Sequence, residues 1–140
     1  MISAGSDIHG PEGNDPLCGF NHVRAEDLTE AAILSAIARG RTYLSCGPRL
    51  ILTGTDRDGA PVQMGDQAEG LGEARVSWTT SGIPLQLRVI GSAGAVSAID
   101  LPTDAGGEVL LTKLPRNFVQ AELRDGAGRL YAVTNPIFLG

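Results

Sequence analysis

From Thr42 onward, apolar and polar residues alternate. Val76 and Trp78 interleave with Arg75, Ser77 and Thr79, Leu85, Leu87 and Val89 with Gln86 and Arg88, and Val119, Ala121 and Leu123 with Gln120, Glu122 and Arg124. Successive side chains of a strand point to opposite faces, so each run predicts a strand with one dry and one wet face. The clusters Asp56-Arg57-Asp58-Gly59, Gly91-Ser92-Ala93-Gly94, Asp104-Ala105-Gly106-Gly107 and Asp125-Gly126-Ala127-Gly128 separate the runs. They supply the positive φ that hairpin loops need. Short strands at this spacing predict a mainly β fold, with seven to nine strands between Thr42 and Leu139 in an antiparallel, immunoglobulin-like β-sandwich.

The first 41 residues follow a different rhythm. Ala4 to His9 predicts a strand that Gly10-Pro11 stops. Residues 10 to 27, with Gly10, Pro11, Gly13, Asn14, Asp15, Pro16 and Gly19, predict an irregular loop. Thr29 then offers an N-cap hydroxyl, Glu30 puts negative charge in the first turn, and Ile33, Leu34 and Ile37 recur at helical spacing. Gly40 stands where a left-handed C′ residue ends a helix, with Arg39 favourably placed against the carbonyl end. The sandwich is thus preceded by a strand, a loop and one α-helix of about ten residues. The change of period divides the chain near Gly40 to Pro48, into 1–41 and 42–140.

A chain of 140 residues can bury its own core without a covalent staple. Cys18 and Cys46 are therefore expected as separate thiols. The net charge of −5 repels phosphate backbones and anionic lipid, and the eleven Lys and Arg residues are scattered along the sequence, so neither nucleic acid nor a membrane surface is an expected partner. Ala31 to Ala38, the longest weakly polar run, is too short to span a bilayer. No basic and apolar secretory signal is visible at the N-terminus, which leaves the cytoplasm as the default expectation.

Chemistry-bearing residues gather in Gly5-Ser6-Asp7-Ile8-His9-Gly10. On a strand, the two-residue period puts Asp7 and His9 on one face, where carboxylate oxygen and imidazole nitrogen suit a divalent cation such as zinc, manganese or iron. The plain alternative is a polar turn. Adding Cys18 and His22 would make a four-donor set, although its spacing matches no zinc motif and His22 reads more simply as a partly exposed loop residue. Arg41 reads as a solvated charge or a partner for the last helical carbonyls, with an anion contact as the alternative. Asp66 reads as a turn residue and Trp78 as a core residue on the parity of Val76. No Ser-His-Asp arrangement can be built, and no phosphate-cradling glycine motif precedes the helix.

In order, the Gly-Ser-Asp-x-His-Gly opening, the capped helix Thr29 to Arg39, Gly40-Arg41-Thr42-Tyr43, Gly47-Pro48, Met64-Gly65-Asp66 and Thr134-Asn135-Pro136-Ile137 resemble the C-terminal part of PHP-superfamily metal-dependent hydrolases, in the CehA/McbA-like branch. The resemblance spans the whole chain. It implies that residues 1–41 are the last elements of a metal-binding barrel, that Asp7 and His9 are its final two metal ligands, and that 42–140 is an appended sandwich. The cofactor would be a divalent metal (Zn, Mn or Fe) and the reaction phosphoesterase-like hydrolysis.

The family's His-x-His motif and its middle Glu and His ligands have no counterpart in this sequence. The expectation is therefore a portion of a hydrolase that is inactive alone and whose partner is the upstream part of the barrel, with a homodimer as a further possible assembly. The alternative is a free-standing β-sandwich that binds a partner without catalysis.

Overall fold

The period-two runs form strands in the computed structural model, which describes residues 1–3 and 19–140. In chain order the elements are β1 (Phe20–Val23), α1 (Glu30–Ala38), β2 (Thr42–Ser45), β3 (Leu50–Asp56), β4 (Pro61–Gln63), β5 (Gln67–Ala68), β6 (Leu71–Trp78), β7 (Leu85–Gly91), β8 (Gly94–Leu101), β9 (Gly107–Leu110), β10 (Phe118–Arg124), β11 (Leu130–Thr134) and β12 (Ile137–Leu139). The protein is mainly β, and its strands form two sheets. The larger runs β1-β2-β11-β10 and continues through β7 to β8; the smaller runs β4-β3-β6-β9. Pairing is antiparallel throughout except between β12 and the two-residue β5, which run parallel.

The dry faces meet in one core. Leu50 and Leu52 of β3 and Ala74 and Val76 of β6 join Leu85, Leu87 and Val89 of β7 and Val119, Ala121 and Leu123 of β10. Each fully buried Leu or Val here contributes about 1.5–3 kcal/mol relative to the exposed side chain. β10 sits at the centre of the larger sheet, with β7 along one edge and β11 followed by β12 along the other. The interruption between β11 and β12 falls at Asn135-Pro136, where proline removes a ladder donor.

Two of the turns share one design. Asp56 Oδ1 accepts from the N–H groups of Asp58 and Ala60, and Asp125 Oδ1 from those of Ala127 and Arg129. In each, the glycine three residues after the aspartate has positive φ, 86° at Gly59 and 83° at Gly128. The Asp104 to Gly107 cluster differs from its expected role, because it crosses from β8 in the larger sheet to β9 in the smaller one. Neither Gly106 nor Gly107 has positive φ. They are glycines for lack of room: a Cβ at Gly106 would stand 2.6 Å from the Trp78 carbonyl oxygen, and one at Gly107 would stand 2.8 Å from the Trp78 ring. Trp78, directly across from Gly107, is half-buried at the margin of the core rather than inside it.

The N-terminal part departs from expectation in two further places. Phe20–Val23, expected as loop, is a strand, because it pairs antiparallel with β2 and extends the larger sheet. This ladder supplies the backbone bonds that its turn-rich neighbourhood does not announce. Helix α1 begins on Thr29, whose hydroxyl accepts from Ala32 N–H, as expected. Its inward residue is Ala36, with Ile33 and Ile37 half-buried, whereas Leu34 turns outward and is 57% exposed.

Candidate functional site

Motifs far apart in sequence meet at the C-terminal end of α1. Gly40, at φ 71°, donates its N–H to Ile37 O, and Arg41 donates to Ala36 O; together these close a Schellman motif. The backbone then enters β2 at Thr42. Gly65, in the turn between β4 and β5, lies so close that a Cβ there would stand 1.9 Å from Arg39 O and 2.7 Å from Gly40 C. Its N–H donates to Pro136 O. Asn135 is 2% exposed; its Nδ2 donates to Thr42 Oγ1 and O, and its Oδ1 accepts from Ile2 N–H at 2.7 Å. Gly40-Arg41-Thr42, Met64-Gly65-Asp66 and Asn135-Pro136 are thus one packed junction, and the residue tied to it is Ile2.

Asp7, His9 and Cys18 lie outside the described residues. Ile2, anchored on Asn135, precedes Asp7 by five positions along the chain. His22 is not a loop histidine: it lies on β1, half-buried, directly opposite Tyr43 of β2. The two rings stack with centroids 4.5 Å apart and planes 8° from parallel. Such a cross-strand pair is a packing role for the imidazole. Burial raises the Tyr43 phenol above its ordinary pKa of 10, and the charge of Arg49 pulls it the other way. The pair lines a groove of about 470 Å³ with Arg24, Arg49, Ile51 and Thr53. Cys46 follows β2 and is half-buried.

Arg41 does not bond the helical carbonyls through its side chain. Backbone N–H groups take those carbonyls, and the guanidinium instead reaches Glu26 Oε1 at 3.3 Å and Asp66 Oδ1 at 3.9 Å with its side chain only 18% exposed. Asp66 is the expected turn residue, since its Oδ2 accepts from Gln63 N–H at 2.9 Å. Beside Arg41 lies a small pocket of about 80 Å³, bounded by Arg24, Glu26, Ser35 and Arg39. Arg24 and Arg39 carried no signal on their own. Arg24 arrives through β1, which turn composition hides, and Arg39 through the chain reversal at Gly40.

Comparison with protein-family models, curated proteins and solved structures finds no match. Among the described residues, no group of three or more His, Cys, Asp or Glu side chains could hold a metal ion. No helix among them is long and apolar enough to cross a membrane. The three most exposed large apolar residues after position 19 are Phe20, Leu28 and Leu34, at 65%, 94% and 57%, all in the β1–α1 segment.

Proposed function

We propose that this chain is the C-terminal portion of a PHP-type, phosphoesterase-like metal-dependent hydrolase. In this reading residues 1–41 are the end of the barrel, and 42–140 is an appended immunoglobulin-like sandwich. Asp7 and His9 are two ligands of a divalent-metal site that other parts of the protein complete.

The observation that carries this reading is the junction. Three of the motifs behind the resemblance to CehA/McbA-like hydrolases, Gly40-Arg41-Thr42, Met64-Gly65-Asp66 and Asn135-Pro136, are far apart in sequence yet form one set of contacts with the end of α1. That set holds Ile2, five positions before Asp7 in sequence, against Asn135. The exposed Phe20, Leu28 and Leu34 give upstream barrel elements an apolar surface to pack on. A second copy of the chain is the other occupant the reading admits.

The described residues offer no donor group to complete the site, so no hydrolytic step is assigned to this chain alone. Bound in a completed site, the metal would activate water and polarise the substrate oxygen. The role of this chain's own residues is to hold and orient two ligands.

Metal content by mass spectrometry on the purified chain tests the reading, with Asp7→Ala as control and hydrolysis of an aryl phosphate assayed in parallel. The expected result is less than one equivalent of weakly held metal that falls further in Asp7→Ala, without turnover. Metal content that Asp7→Ala leaves unchanged contradicts the ligand assignment, and turnover by the wild-type chain contradicts the incomplete site.

A further inference from the structure

We infer that the pocket formed by Arg24, Arg39 and Arg41 is a binding site for a small, doubly charged oxyanion such as phosphate or sulfate. Three of the eleven basic residues of a chain with net charge −5 border this one pocket. Backbone bonds bring them together. Arg24 N–H donates to Arg41 O at 2.9 Å where the β1–β2 ladder ends, and the Schellman turn at Gly40 sets Arg39 and Arg41 on either side of the reversal.

Little competes for the guanidinium groups of Arg24 and Arg39, whereas Arg41 is shared with Glu26 and Asp66. The terminal carbonyls of α1 that would attract them are taken by main-chain donors: Ser35 O by Arg39 N–H, Ala36 O by Arg41 N–H and Ile37 O by Gly40 N–H. Arg24 and Arg39 make no ion pair among the described residues. Arg41 is oriented by Glu26 and Asp66, and its Nε–H is buried with no hydrogen-bond partner among the described residues. The residues that line the pocket include three arginines, one acidic residue, Glu26, and Ser35.

Size and charge narrow the ligand class. The volume of about 80 Å³ is roughly that of two or three waters. That is room for a tetrahedral oxyanion. Guanidinium forks match the geometry of phosphate and sulfate oxygens, and charge-assisted hydrogen bonds are the stronger kind. The inference does not depend on the metal-ligand reading, because none of its residues belongs to the proposed metal pair.

The test is a titration of the full chain with inorganic phosphate at constant ionic strength, followed through backbone amide and arginine Nε–H resonances. Saturable shifts are expected at Arg41 Nε–H and around Arg24 and Arg39. Arg24→Ala/Arg39→Ala, which removes two exposed side chains, should weaken binding about tenfold or more. Lys113→Ala/Arg116→Ala removes the same charge elsewhere and should leave it unchanged, as should Asp7→Ala. The inference is overturned if chloride gives the same shifts, if acetate binds as tightly as phosphate, or if the two double variants behave alike.

Discussion

The side-chain amide of Asn135 donates to both the carbonyl and the hydroxyl of Thr42, 93 positions earlier in the chain. Both residues are almost completely buried, and the remaining oxygen of the same amide accepts from Ile2 N–H. Asn135→Ala would leave the buried Thr42 hydroxyl without its donor, while Thr42 O keeps the backbone N–H of residue 135, and would release the Ile2 amide. The expected loss is about 1–3 kcal/mol in urea unfolding, with faster amide exchange at Ile2. If stability falls while Ile2 exchange stays slow, Asn135 is not what anchors the N-terminal segment.

Gly65 and Gly59 both have φ close to +87°, at 88° and 86°, but they differ in surroundings. A Cβ at Gly59 meets nothing within 4 Å, whereas one at Gly65 would overlap the Arg39 carbonyl. Gly59→Ala should cost about 1–2 kcal/mol, the left-handed penalty alone. Gly65→Ala adds a clash with backbone that cannot rotate away and should cost about 3 kcal/mol or more. Equal unfolding midpoints for the two variants would mean that the turn at Gly65 does not pack on the end of α1.

Much of this fold was legible in the sequence because burial on a sheet imposes period two. The runs in β6, β7 and β10 announce their dry faces, and the Thr29 cap and Gly40 stop announce α1. What was hidden depends on contacts between distant residues. β1 is a strand because β2 pairs with it, and Gly106 and Gly107 are glycines because Trp78 lies against them. The arginine pocket follows from that same hidden pairing. Asn135 and Met64-Gly65-Asp66 stood out as words of a motif, but the junction they build with Gly40 and Thr42 has no signal along the chain.

The Tyr43 phenol gives the fold a pH signature. Its pKa is raised above 10 by burial, so the folded state keeps a proton that the unfolded chain releases. Stability from this source is fully present below pH 10 and declines as pH rises through the folded value. Tyr43→Phe should flatten the fall in unfolding free energy above pH 10. Arg49→Ala, which removes the charge that lowers the pKa, should move the phenol's absorbance titration to higher pH. A titration unmoved by Arg49→Ala would mean that the guanidinium does not act on the phenol.

The central claim is that Asp7 and His9, which follow the anchored Ile2 by five and seven positions in sequence, are two ligands of a divalent-metal site. Its most direct test is Mn²⁺-induced line broadening in the full chain. The account predicts selective broadening of the Ile2 amide, the Asn135 side-chain amide and the Thr42 amide, lost in Asp7→Ala and in His9→Ala. Broadening that spares those three groups, or that persists in both variants, would contradict it.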